Sequence, residues 1–182
     1  MSVVLTPIRI MDAAKIKDTH LLSAVTDDVP SFIRGVLGDP HKRYFLATDE
    51  DDPEKALLGL FGLENISEQH RRADIVIILP DSSGNAPDRL SSALDRLIRL
   101  AFFEMEIHRL SILVRVDDVR IEKMILDCHM VQEAVLEYPD HTDVVSILNL
   151  ILQIFLLRMD GSVLLTGRNL FTEILHRILA TY

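Results

Sequence analysis

The sequence has little cysteine and few basic side chains, and each shortage excludes a class of protein. A single cysteine, Cys128, excludes an intramolecular disulfide and a cysteine-based zinc site, and it suits a reducing compartment such as the cytoplasm. The 19 lysines and arginines are outnumbered by 28 aspartates and glutamates. Because nucleic-acid binding requires clustered positive charge, we expect no nucleic-acid partner.

Long apolar segments and metal-binding patterns are also missing. The start of the chain has no charged region followed by a long apolar core, so we expect no signal peptide. The apolar run 144–157 is interrupted by Ser146, Asn149 and Gln153 and is shorter than the ~20 residues of a membrane span. We assign it to a buried strand and expect no membrane partner. The histidines show no spacing typical of metal ligands, so no metal is expected.

What the sequence does contain is an alternation of strand and helix patterns. Strand patterns lie at residues 5–10, 43–48, 56–63, 74–79, 109–116, 130–138 and 144–153. Helix patterns lie at 12–25 and 31–37, after Pro87, and at 119–128. Within 182 residues that are 48% apolar, this order predicts one α/β domain with a substantial core.

The acidic segment before the third strand pattern and two glycines within that pattern both bear on packing. Residues 49–54 are acidic and contain Pro53, so we predict a solvated hairpin turn. Gly59 and Gly62 lie inside the strand pattern, which indicates a bulge or the close approach of another group.

The most informative segment runs from residue 74 to residue 138. Its first strand leads into the small-residue sequence PDSSGNAP, and a helix begins at Pro87 with apolar residues at 90, 94, 97, 101 and 105. Pro87 suits the first helical position, and Asp88 suits the positive end of the helix dipole. Backbone N–H groups at such a loop can bind a phosphate-like anion. An ordinary strand-to-helix turn uses the same residue types, so the loop alone leaves both interpretations open.

The order of these elements resembles that of the GNAT acyltransferases. The sequence AFFEMEIHRLSILV at residues 101–114 is similar to the family's junction between its long helix and the next strand. The sequence PIR at 7–9, followed by Asp12, looks like the first strand and helix entry of the subgroup that includes ribosomal-protein N-terminal acetyltransferases, and Asp143 precedes the last strand as it does there. We therefore predict a GNAT-like domain over residues 1–153.

This resemblance implies a mixed, mostly antiparallel sheet flanked by helices, with its fourth and fifth strands splayed apart. Acetyl-CoA would lie in that wedge as the cosubstrate, with its pyrophosphate on the loop after the fourth strand. The cofactor residues implied are Ile78, Leu79, Ser83, Gly84, Asn85, Ala86 and Asp118. Gly84 and Ala86 match the family's loop pattern, whereas Asp81 stands where the family has Gln or Arg.

The activity implied is acyl transfer from acetyl-CoA to an amine. Such chemistry needs a base, an N–H that polarises the thioester carbonyl, and a proton for the departing thiolate. Glu64 and Asp74 are the nearest carboxylates in sequence to the predicted site, and with Tyr138 they are the candidate catalytic residues. The family's proton-donating tyrosine is replaced by Ile125, which cannot donate a proton.

Two functions remain open on this basis. The first is an N-acyltransferase that acts on an amine-bearing small molecule or a protein N-terminus. The second is a GNAT-like protein that has lost catalysis and acts as a binding or regulatory module. The family often has Asn after the fifth strand and a Gly-Phe pair at the end of the following helix, where this sequence has Asp118 and His129-Met130. These departures, together with Asp81 and Ile125, favour the second function.

The C-terminal segment, residues 154–182, is predicted to be an extension of the domain. Asp160 and Gly161 between two apolar runs indicate a hairpin, and Asn169 is suited to begin a final amphipathic helix. We expect the extension to pack on its own domain. The alternatives are an oligomer surface, such as a homodimer interface, or a lid over the acceptor side.

Overall fold

The computed structural model describes residues 3–23, 25–51, 57–80, 87–115, 118–137, 144–151, 156–159 and 162–165. The strands are β1 Val3–Pro7, β2 Arg43–Asp49, β3 Leu57–Ser67, β4 Arg72–Ile78, β5 Arg109–Arg115, β6 Val131–Glu137, β7 Val144–Ile151, β8 Leu156–Met159 and β9 Ser162–Leu165. The α-helices are α1 Ala13–Asp18, α2 Val29–Gly38, α3 Pro87–Arg99 and α4 Val119–Asp127. The predicted α/β class is confirmed.

Seven strands form one sheet in the order β1-β2-β3-β4-β5-β7-β6. The pairs β1–β2, β2–β3, β3–β4 and β6–β7 are antiparallel, whereas β4 and β5 are parallel. A parallel pair needs a long crossover, and α3 provides it. The sheet is therefore mixed and mostly antiparallel, and each of the seven predicted strands is present in the predicted order.

The chain divides into two compact units, Met1–Leu150 and Ile151–Tyr182. Within the second unit, β8 and β9 are antiparallel partners on either side of residues 160–161, as the predicted hairpin requires. Asp160, Gly161 and the helix predicted from Asn169 lie outside the described residues. The packing of the extension on the domain stays a prediction.

The sheet of the first unit has a core on each face. On one face, a cluster of buried side chains joins α1 and α2 to the strands, and Ile16, Ile33 and Leu60 belong to it. Successive residues of a strand point to opposite faces, so the buried Phe61 lies on the other face. There α3 contacts β1 and β3, which places one helical layer on each side of the sheet.

Helix α3 confirms the apolar spacing read from the sequence. Its predicted apolar positions Leu90, Leu94 and Leu97 are buried, as is Ala101 just beyond it, whereas the fifth predicted position, Met105, is only half-buried. The helix continues into one π-helical turn, Leu100–Glu104, in which the Met105 N–H donates to the Leu100 carbonyl at 3.1 Å. Such turns widen a helix by one residue and often lie near functional sites.

The first helix is shorter than predicted. The hydroxyl of Thr19 donates to the carbonyls of Lys15 and Ile16, and His20 adopts a left-handed backbone with φ of 52°; both features end a helix. Asp12, where the predicted helix begins, gives no side-chain cap to α1; its carboxylate accepts the N–H of Arg9 at 2.7 Å. α1 therefore ends at Asp18 rather than near residue 25.

The predicted solvated turn at 49–54 is wrong at its first residue. Asp49 ends β2 and is only 2% exposed. Its carboxylate forms an ion pair with Arg89 in the first turn of α3 and accepts the N–H of Asp51 at 3.0 Å. A buried carboxylate requires such partners, so the pair fastens α3 to the end of β2. Residues 52–54 lie outside the described part.

Candidate functional site

The fourth and fifth strands pair over three positions and then separate. Arg72 pairs with Arg109, Ala73 with Leu110 and Asp74 with Ser111. Beyond Asp74, the described residues of β4 have no paired partner on β5. The splayed wedge implied by the resemblance is thus confirmed.

A cavity of about 580 Å³ occupies this wedge. Its lining residues are Glu64, Asn65, Asp74, Ile75, Val76, Ile77, Ser111, Ile112, Leu113, Val114, Asp118 and Ile121. The walls contributed by β4 and β5 are mainly apolar, whereas the polar side chains lie near the closed end of the wedge and at the start of α4. A site of this kind suits a ligand with a slender apolar part and a polar or charged end.

Two candidate bases predicted from the sequence, Glu64 and Asp74, meet in this cavity. Glu64 is the cross-strand partner of Asp74, and Asp74 is in turn the partner of Ser111. Directly opposed residues in a sheet have side chains on the same face. The sheet therefore gathers two carboxylates and a hydroxyl in one row at the closed end of the wedge.

A bulge in β3 adds a fourth polar side chain that sequence reasoning missed. The register between β3 and β4 shifts between Glu64 and Ser67, and Asn65 has a left-handed φ of 51°. Asn65 can therefore line the same cavity as its neighbour Glu64, because a bulge redirects side chains. Its amide donates to Asp74 Oδ2 at 2.8 Å. The available signal was asparagine itself, which tolerates this conformation.

Glu64 is held by two donors that sequence reasoning also missed. Lys42 Nζ and the Tyr44 hydroxyl both donate to Glu64 Oε1, at 2.7 and 2.8 Å. Burial alone would raise the pKa of Glu64, but these hydrogen bonds and the Lys42 charge outweigh it, so the pKa of the carboxyl lies below its ordinary value. Burial and the bond to Glu64 raise the pKa of the Tyr44 phenol. Glu64 is thus ionised and Tyr44 protonated at neutral pH.

The absence of a side chain at Gly62 gives Tyr44 its position. A Cβ atom at Gly62 would lie 2.7 Å from Cε1 of the Tyr44 ring, closer than atoms pack. The ring of Phe32 packs edge-on against the Tyr44 ring, with the ring centroids 5.6 Å apart. The close approach predicted for this glycine is confirmed, and it places the Tyr44 hydroxyl at Glu64.

Replacing Gly62 by alanine is therefore expected to lower the free energy of unfolding by about 1–3 kcal/mol, because the Tyr44 ring must move. Gly35→Ala is the matched control. Gly35 lies inside α2 with no atom within 4 Å of an added Cβ, so alanine there is expected to raise stability by about 0.5–1 kcal/mol. Urea unfolding of both variants measures the contrast, and equal effects would contradict this account.

The other predicted residues are placed as follows. Asp118 lines the cavity and caps α4, because Oδ1 accepts the Ile121 N–H at 3.2 Å. The side chain of Ile78 packs against the core below α1 and α2, so a role in binding would fall to its backbone. The carbonyl of Ile78 and Cδ2 of Leu79 each lie 2.9 Å from the position of a Cβ at Gly59, which confirms a close approach there too.

Part of the predicted site lies outside the described residues. This applies to Asp81, to the cofactor residues Ser83, Gly84, Asn85 and Ala86, and to the candidate catalytic residue Tyr138. Ile125, which replaces the family's tyrosine, is fully buried and contributes no proton. The assignment of residues 83–86 to the cofactor and of Tyr138 to catalysis stays a prediction.

Cys128 is not suited to nucleophilic chemistry. Its thiol donates to the Ser91 carbonyl at 3.7 Å. Burial raises the pKa of Cys128 to about 12, and the charges of Asp95 and Asp127 add to the effect.

Within the described ranges, no cluster of His, Cys, Asp or Glu could hold a metal ion, and no helix has the length and apolar character of a membrane span.

Solved structures with this fold include spermidine N-acetyltransferases. SpeG from Vibrio cholerae, in complex with CoA and spermine, has 19% sequence identity and a TM-score of 0.68, over 82% of this chain and 95% of that chain. Its dodecameric form in an intermediate state has 20% identity and a TM-score of 0.68, over 87% and 98% of the two chains. No protein-family model and no curated protein matches the sequence. The chain thus has the GNAT fold, as these neighbours do.

Proposed function

We propose that this protein is an acetyl-CoA-dependent N-acyltransferase whose acceptor is a small-molecule amine. The observation that carries the proposal is the cavity between the splayed β4 and β5, with apolar walls and carboxylates at one end. The V. cholerae neighbour with the same fold was solved with CoA and spermine, which supports both ligand classes. A ligand in the wedge can reach the backbone of β4, because that strand is unpaired toward β5 beyond Asp74 among the described positions.

The acceptor end of this proposed site is acidic. Glu64 and Asp74, which are cross-strand partners at the closed end of the wedge, both line the cavity. Carboxylates attract an ammonium ion most strongly where little water screens them. We therefore propose an acceptor with more than one positive charge, such as a polyamine, rather than a neutral or singly charged amine.

The roles of the two central carboxylates differ. Glu64 accepts two hydrogen bonds, one from a lysine, and its lowered pKa makes it a weak proton acceptor. Asp74 accepts its hydrogen bond from the neutral amide of Asn65. We assign proton removal from the acceptor to Asp74, directly or through a water, and charge attraction to Glu64.

Acetyl-CoA supplies the acetyl group as a thioester. The neutral amine nitrogen bonds to the carbonyl carbon, the carbon–sulfur bond breaks, and the thiolate takes up a proton. We assign polarisation of the carbonyl to a backbone N–H near the end of β4, at Ile77 to Leu79. Among the described residues that line the cavity, Ser111 alone carries a hydroxyl, and we assign it to the proton path in place of Ile125.

Calorimetric titration with acetyl-CoA, followed by a thiol-release assay, tests this function. We expect acetyl-CoA to bind and spermidine to be acetylated, with a KM about tenfold below that of hexylamine, the effect of ~1.4 kcal/mol of added attraction. A peptide with a free N-terminus tests the acceptor of the ribosomal-protein subgroup. Absence of binding at millimolar acetyl-CoA would exclude an acyltransferase.

The matched variants are Glu64→Gln and Glu133→Gln. Glu133 pairs with Arg109 at 2.9 Å on a partly exposed surface and does not line the cavity. We expect Glu64→Gln to raise the KM for spermidine and Glu133→Gln to leave it unchanged. Equal KM values in both variants would contradict the role of Glu64.

A module without catalysis is the second candidate, and the buried Ile125 favours it. In that case acetyl-CoA binds in the same calorimetric experiment, but no thiol is released with any of the three acceptors. The proposed enzyme predicts both binding and release.

A further inference from the structure

A small group of side chains fixes Glu64 from the side away from the wedge. Lys42 and Tyr44 lie on β2 and the residues just before it, two strands away from the wedge in sheet order. Neither lines the cavity, yet both reach Glu64, which does. Tyr44 is itself buried, and Gly62 and Phe32 restrict its ring. The tyrosine therefore has little freedom to move away from the carboxylate.

The two donors converge on a single carboxylate oxygen. Both the Lys42 ammonium and the Tyr44 hydroxyl bond to Oε1 of Glu64. None of the hydrogen bonds among the described residues uses Oε2. A carboxylate fixed through one oxygen keeps the acceptor capacity of the other, and Glu64 lines the cavity.

We propose that Tyr44 and Lys42 are positioning residues that hold Glu64 as an oriented carboxylate for the positive charge of the acceptor. This inference rests on the proposed function and deepens it, because it assigns acceptor selectivity to residues outside the cavity. A positive acceptor gains from an anion that is fixed before binding, since no side-chain entropy is lost when the complex forms. Tyr44 supplies the fixed direction and Lys42 balances the charge of Glu64.

The direction of the pH effect follows from the groups around Glu64. Lys42 and Tyr44 favour its ionised form, whereas Asp39 at the end of α2 opposes it; Asp74 is its cross-strand partner, and Asp118 shares the cavity. Acceptor binding needs the ionised Glu64, so it is lost as pH falls through the pKa of that group. Removing the Tyr44 hydroxyl removes a donor that lowers this pKa. The acidic limb of kcat/KM for the acceptor should therefore move to higher pH.

Tyr44→Phe is the decisive variant, because it removes the hydroxyl and keeps the ring between Gly62 and Phe32. We expect the KM for spermidine to rise about tenfold, the low end for a hydrogen bond to a charged group, and the acidic limb to move to higher pH. The KM for acetyl-CoA should stay unchanged. Lys42→Gln should act in the same direction on both spermidine readouts.

A double-variant cycle separates positioning from a general structural effect. In the Glu64→Gln background, Tyr44→Phe should change the KM for spermidine little, because the group that it orients is gone. Equal effects of Tyr44→Phe in both backgrounds, or an unchanged KM and pH limb in the single variant, would overturn the inference. Failure of the wild-type protein to bind acetyl-CoA refutes the proposed function instead, so the two failures are distinguishable.

Discussion

Replacing Leu94 by alanine is expected to lower the free energy of unfolding by about 2–5 kcal/mol, because a fully enclosed side chain loses its contacts and leaves a cavity. Leu94 is 0% exposed in the middle of α3, which crosses from β4 to β5 and covers one face of the sheet. Its loss therefore loosens the only described helix that joins the two strands of the wedge. Denaturation in urea, followed by circular dichroism, measures the change.

Leu37→Ala is the control for this prediction. Leu37 is 55% exposed near the end of α2, and the same chemical change there should stay within about 0.5 kcal/mol of the wild type. A similar loss in both variants would show that packing under α3 does not determine stability. The helix propensities of leucine and alanine are close, so the contrast reports burial.

Asp49→Ala is expected to cost about 1–3 kcal/mol. Removing one partner of a fully buried ion pair costs ~3–5 kcal/mol, but Arg89 is 34% exposed and water can solvate part of its charge. The Asp51 N–H also loses its acceptor. Chemical unfolding of Asp49→Ala, Arg89→Ala and the double variant gives the coupling energy.

The double variant is the informative arm of that cycle. If the pair is what fastens α3 to β2, the two single-variant losses should add up to more than the loss in the double variant, which should be little worse than Asp49→Ala alone. Strictly additive losses would contradict a direct pairing. Asp49→Asn keeps an acceptor for the Asp51 N–H, so its smaller loss separates that hydrogen bond from the charge.

The fold was largely predictable because its strands and α3 carry clear periodic patterns. Apolar spacing along α3 predicted the buried positions from Leu90 to Ala101, and each sheet strand was found in order. The end of β3 was missed because Glu64, Asn65 and Ser67 are polar and resemble a loop, although a bulge keeps them in the strand. The hydroxyl bonds of Thr19 and the left-handed backbone of His20 also end α1 earlier than its apolar pattern indicated.

The site was predictable only in part, because the sequence does not reveal pairing between distant segments. The resemblance brought Glu64, Asp74 and Asp118 to one wedge, and all three line it. Lys42 and Tyr44 are about twenty residues away from the carboxylate they hold, and neither belongs to a motif. Asp49 was predicted to be solvent-exposed for the same reason, since its partner Arg89 in α3 is forty residues further along the chain.

The early separation of β4 from β5 has a consequence for the behaviour of the chain in concentrated solution. An unpaired strand at the outside of a sheet invites other chains to add to it and is a common origin of aggregation. Here the open backbone of β4 lies in the interior of a seven-stranded sheet, between walls of its own side chains. A small molecule that enters that slot meets this backbone, whereas a strand of another chain would have to fit between β4 and β5. The protein thus keeps a hydrogen-bonding strand available for small ligands without offering it to a second chain.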